Sequence, residues 1–126
     1  MNLAQKRFDT ASLIEAMAYE ENLAERLREL LAGEDGIAEK KMFGGLAFLV
    51  NGNMAVAASG RGGLLARVDR ADSPALISRP DVELMEMGGR TMAGWIRVAP
   101  EAIQTKRELA AWVERGVGYA KTLPEK

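Results

Sequence analysis

The chain has 126 residues, 48% of them hydrophobic and 28% charged, with a formal net charge of −1 and neither cysteine nor histidine. That length suits one domain with one core, burying about two thirds of the surface that the unfolded chain exposes. The missing residue types exclude a disulfide framework, the usual zinc sites, a Cys-His pair and a Ser-His-Asp triad, and a net charge this near zero lacks the footprint of an autonomous duplex-DNA binder.

Residues 1–16 read as an N-terminal extension that lacks the continuous apolar stretch of a secretory signal, and no run approaches a membrane span, so a cytoplasmic protein is expected. The domain proper is expected over 17–126, with Met17 a candidate initiator; Leu13, Ile14 and Met17 also fit a helix extended toward the N-terminus. Leu23, Leu27, Leu30 and Leu31 recur at i, i+4, i+7 and i+8 and predict an amphipathic helix that Gly33 ends. Ile37 to Val50 then reads as one extended strand. Asn51-Gly52 is a strong two-residue hairpin signal, Met54 to Ser59 is the returning strand, and Leu64 to Val68 a third strand beyond a turn at Gly60, Arg61, Gly62 and Gly63.

Ser73 before Pro74 predicts the N-cap of a short helix stopping near Arg79-Pro80. Val82 to Met87 and Trp95 to Val98 read as strands joined through Gly88, Gly89 and Arg90. Thr105 and Glu108 have capping-box spacing, and Leu109, Trp112, Val113, Gly116, Val117 and Ala120 mark one stripe of a final helix, with Gly116 and Gly118 expected to allow close packing on the sheet. The expected fold is α+β, an antiparallel five-stranded sheet with helices in the order α-β-β-β-α-β-β-α.

Candidate sites follow from this placement. Gly60 to Gly63 joins two strands with no Gly-Lys-Ser/Thr after it, so it reads as a tight turn and not a phosphate cradle. Gly44-Gly45 reads as a bend that curls the sheet around a packed helix, with close approach of a ligand as the alternative. Lys40, Lys41, Arg61, Arg67, Arg90 and Arg97 lie on or beside strands; sharing a face with Trp95 or Phe43, they would hold a nucleic-acid backbone while an aromatic stacks on a base. As solvated edge residues they would instead deter strand-to-strand aggregation.

Carboxylates offer less. Glu83 and Glu86 have opposite parity in their strand, and Asp69 and Asp72 flank a turn where local capping explains them. A small carboxylate or arginine enzyme is the least favoured reading. Methionines such as Met42, Met54, Met85, Met87 and Met92 read as adaptable core filler.

Both parities of the first strand are apolar, with Met42, Leu46, Phe48 and Val50 on one and Phe43, Ala47 and Leu49 on the other. Helices that cover one face leave the second for another subunit, so a homodimer is expected.

The stretches KKMFGGLAFLVNGNM (40–54), GLLARVD (63–69), MAGWIRV (92–98) and LAAWVERGVGYAKTLP (109–124) together resemble the N-terminal domain of the TfoX/Sxy family of competence-gene regulators. The resemblance implies a secretion-chaperone-like α+β fold and a non-enzymatic, transcription-related module that binds a regulatory protein partner. Full-length members carry a second, helix-hairpin-helix-like domain and are thought to act with the cyclic-AMP receptor protein; this chain is expected to be a single-domain version without that second part. The resemblance brings no catalytic, cofactor or metal residues, so none of these is expected.

Overall fold

In the computed structural model, which describes residues 21–42 and 44–126, the chain reverses where the sequence presents one continuous strand. Met42 pairs with Gly45, and Gly44 between them has φ +76°, a left-handed conformation that glycine adopts without a Cβ penalty. The expected single strand is therefore two, β1 (Ile37–Met42) and β2 (Gly45–Val50), and the sheet has six strands, not five. Gly44 does not curl a strand; it ends one. Gly45 answers a second need, since a Cβ there would strike the Ala58 carbonyl of the next strand.

The rest follows the expected order. Helix α1 covers 21–31 of the described residues, and β1 and β2 lead through Asn51 (φ 52°) and Gly52 (φ 84°) into β3 (Asn53–Ala58). Then come β4 (Leu64–Arg67), α2 (Ser73–Ile77), β5 (Val82–Met87), β6 (Arg90–Val98) and α3 (Lys106–Thr122). Short 3₁₀ turns at Arg70–Asp72 and Pro100–Ile103 precede α2 and α3. All pairings are antiparallel, in the order β1-β2-β3-β4-β6-β5. The expectations for residues 1–16 and for a start at Met17 lie outside the described residues. Among the described residues no helix is long and apolar enough to cross a membrane.

Among the described residues, helices pack on one face of the sheet. Leu23, Leu27 and Leu31 of α1, Leu76 of α2, and Leu109, Trp112, Val113, Val117 and Ala120 of α3 join Phe48, Val50, Val56, Leu64, Ile96 and Val98 in the main core. Thr105 accepts from the Glu108 amide, and Glu108 in turn accepts from the Thr105 amide, so the expected capping box starts α3. Ser73 does not cap α2. Its buried hydroxyl instead accepts a 2.8 Å hydrogen bond from the Gly94 amide of β6.

Helix α3 comes close to the sheet at Gly116. Leu49 pairs with Met54 and Phe48 with Val56, leaving Ala55 as the extra residue of a bulge in β3. A Cβ on Gly116 would run into the Ala55 carbonyl and lie 2.9 Å from Val56 Cγ1, whereas nothing stands within 4 Å of one on Gly118. Gly116→Ala is expected to destabilise the fold by about 1–3 kcal/mol through overpacking, and Gly118→Ala to stabilise it by up to about 1 kcal/mol through helix propensity. Urea denaturation of both variants checks this; a Gly116→Ala protein as stable as the parent would mean that α3 does not rest on the bulge.

Candidate functional site

The second face of the sheet carries a smaller apolar cluster. Ala47, Met54, Ala57 and Leu65 are buried there, with Met42, Leu49, Met85 and Trp95 packed against them, and no helix residue takes part among the described residues. The turn at Gly44 is responsible for one member: as the partner of Gly45, Met42 leaves the parity of Leu46, Phe48 and Val50 and joins Ala47 and Leu49. A hollow of about 290 Å³ opens on this face, lined by Met42, Met54, Met85 and Met87 and edged by Arg61 and Arg97.

Cross-strand register arranges the face in rows, because directly paired residues project to the same side. Lys40 pairs with Ala47, Ala47 with Ala57, Ala57 with Leu65, Leu65 with Arg97, and Arg97 with Glu83. The row crosses all six strands. It is apolar in the middle and oppositely charged at its two outermost positions, Lys40 and Glu83, both exposed.

The seven residues singled out from the sequence do not share one surface. Lys40, Arg67, Trp95 and Arg97 project from the uncovered face by register, and Arg61 reaches its rim from the β3–β4 turn. Lys41 pairs with Leu46 and lies on the helix side, beside a groove of about 790 Å³ that also holds Glu25, Arg28 and Glu39. Arg90 pairs with Met87 and so takes the side of the uncovered face, but stands exposed at the tip of the β5–β6 hairpin. The side chain of Phe43 lies outside the described residues.

Arg67 and Trp95 do come together. Between the pairs Leu84–Ile96 and Met85–Met92, the residues Ala93, Gly94 and Trp95 have no partner in β5. Gly94, at φ +87°, is held there by the hydrogen bond its amide donates to the Ser73 hydroxyl and by the Val68 amide, which donates to its carbonyl at 2.8 Å. Trp95 is left opposite Arg67 of β4, whose guanidinium carbon lies 5.0 Å from the indole centroid. Tyr119 of α3 stands on the same guanidinium at 5.7 Å, a partner the sequence reading missed. Only its place beside the buried stripe of α3 hinted at it. Two further arginines, Arg115 at 4.8 Å and Arg79 at 5.7 Å, flank Trp112.

On the helix side, Arg28 donates to both oxygens of Glu39 at 2.8 Å and also pairs with Glu25. The Arg28 hydrogen bonds hold the Glu39 carboxyl below its ordinary value of 4.5, against a smaller opposing effect of burial, and the guanidinium is raised in turn. This pair ties α1 to the edge strand β1.

A family model described as the TfoX N-terminal domain matches residues 29–120. No curated protein matches the chain.

A carboxyl depressed in the folded state binds protons less readily than its unfolded counterpart, so the Glu39 contribution is full above pH 4.5 and is lost as pH falls through the depressed value. Glu39→Gln is expected to lower the thermal midpoint slightly at pH 7, and the gap is expected to close as pH falls through the depressed value of the parent carboxyl. Parallel melting curves across that range test this; a gap that persists at the acid end would mean that packing, not charge, holds β1 to α1.

Proposed function

The chain belongs to the TfoX N-terminal domain family, and from that premise we propose that it is a non-enzymatic, cytoplasmic regulatory module that works by protein contact, pairing with a second copy through the uncovered face of its sheet. The observation that carries this reading is the row from Lys40 to Glu83. A two-fold axis parallel to the strands, passing between Ala57 and Leu65, turns the row end for end. It lays Lys40 against the partner's Glu83, Ala47 against the partner's Arg97, and Ala57 against the partner's Leu65.

Two sheets packed face to face stand about 10 Å apart, a gap that a lysine and a glutamate bridge together. Isologous interfaces need this kind of self-complementarity. The methionines around the central hollow are unbranched and adaptable, so they can repack to fill it when a second apolar surface arrives. A transcription-related role through a further protein partner is the family's contribution to the proposal.

Nucleic-acid binding is the second reading, and Arg67 stacked on Trp95 supports it. The other basic residues weaken it, because Lys41 leaves on the helix side and Arg90 stands apart at a hairpin tip, and no continuous groove for a phosphate backbone results.

Sedimentation of the purified chain is expected to show a dimer at tens of micromolar, about the range in which stable dimers stay associated. Lys40→Glu or Glu83→Lys alone should weaken it roughly tenfold or more by setting like charges together, and the double variant should restore it to within about threefold. A monomeric parent would overturn the dimer. A dimer indifferent to both single changes would move the contact to another surface.

A further inference from the structure

We propose that the end of β4 is a binding site for a single nucleotide unit, an aromatic base joined to a phosphate, held by Arg67, Arg70, Trp95 and Tyr119. These four side chains line one groove of about 380 Å³ together with the Thr91–Gly94 stretch of β6. The inference does not depend on the dimer.

Charge comes first. Arg67 and Arg70 both face this groove; among the described residues no carboxylate lines it and neither guanidinium is paired with a carboxylate, the ion pairs there involving Arg28 and Lys121. Two unneutralised guanidiniums beside one groove make a fork for the oxygens of a phosphate.

Aromatic surface comes second. Arg67 lies between Trp95 at 5.0 Å and Tyr119 at 5.7 Å, and both aromatic residues are half-exposed. A stack serving stability alone would be expected to hide its rings, as the buried Trp112 does. Here the planar faces stay in the groove beside the cations. A base is flat and stacks on indole, phenol or guanidinium alike.

The backbone supplies the room. Gly94 lies in the groove without a side chain, and Arg70 passes through the vacated space: a Cβ on Gly94 would sit 3.3 Å from Arg70 Cγ. Gly94 is fixed by Ser73 and Val68, so Arg70 and Trp95 are placed by one rigid corner.

Titration with AMP followed by the two indole N–H resonances tests the proposal. The Trp95 signal is expected to move and saturate while that of the buried Trp112 stays in place. Arg70→Gln, a change at an exposed residue, should weaken AMP roughly tenfold, and Arg67→Lys should do the same, because an ammonium keeps the charge but loses the planar stack. Adenosine and ribose 5-phosphate, which each carry half of the chemistry, should bind at least about tenfold more weakly than AMP. A short single-stranded oligonucleotide run alongside separates the sources. If it shifts Trp95 at far lower concentration than AMP and loses affinity with Arg70→Gln, the nucleotide unit belongs to a strand; if AMP binds as well, the unit is free. Failure of both ligands to move Trp95 at millimolar concentration overturns the site, as does binding of ribose 5-phosphate equal to AMP.

Discussion

The arrangement of this domain depends on the contact between Gly116 and the bulge in β3. The extra residue Ala55 turns its carbonyl toward α3, and only a residue without a side chain lets the helix come down onto it. Once that point is fixed, the helix periodicity fixes its neighbours. Trp112, four residues earlier, enters the core between Arg79 and Arg115, and Tyr119, three residues later, stands over Arg67. The Asn53 amide meets the Pro124 carbonyl at 2.9 Å, and the Asn51 carbonyl accepts from the Lys126 amide at 2.9 Å. The chain beyond α3 is thus fastened to the turn that begins β3.

Among the described residues the helices pack on one side of the sheet, and this shapes the other. The uncovered face keeps Ala47, Ala57 and Leu65 buried by small neighbours, strand side chains and methionines rather than by a helix. Unbranched thioether side chains suit that position because they cover apolar area without demanding a single packing arrangement. A helix on this face would bury the same area but would also remove the Lys40 and Glu83 row ends from access by a partner. Among the described residues no third layer covers this face of the sheet.

Local chemistry made much of the fold readable in the sequence. The capping box at Thr105 and Glu108 and the six-residue stripe of α3 are both found as expected, because each depends on residues within one or two helical turns. Asn51-Gly52 was equally legible, since few other residue pairs tolerate two successive positive φ values. Gly44 was not. Apolar residues run on both sides of it, and a continuous apolar run is what a strand buried on both faces would show, so its turn was concealed by the methionine and leucine around it. Ser73 failed for another reason: a serine before proline is a good local cap, but its hydroxyl found a partner 21 residues away that no local pattern could announce. Tyr119 is the same case, invisible until α3 is laid beside β4.

Trp95 links the two surfaces. It packs against the apolar cluster of the uncovered face and also stacks on Arg67 in the groove at the end of β4. Because interiors are close-packed, a side chain shared by two contacts cannot move for one without disturbing the other. A base stacked on the indole would hold it in one rotamer and, through it, the edge of the Leu65 cluster. With both surfaces occupied, a coupling free energy between groove and sheet face would follow, equal in both directions. Its size depends on how far Trp95 is held by Arg67 alone. The indole's partial exposure and the absence of a β5 partner for residues 93–95 leave that stack, rather than backbone pairing with β5, as the restraint on the face of the ring.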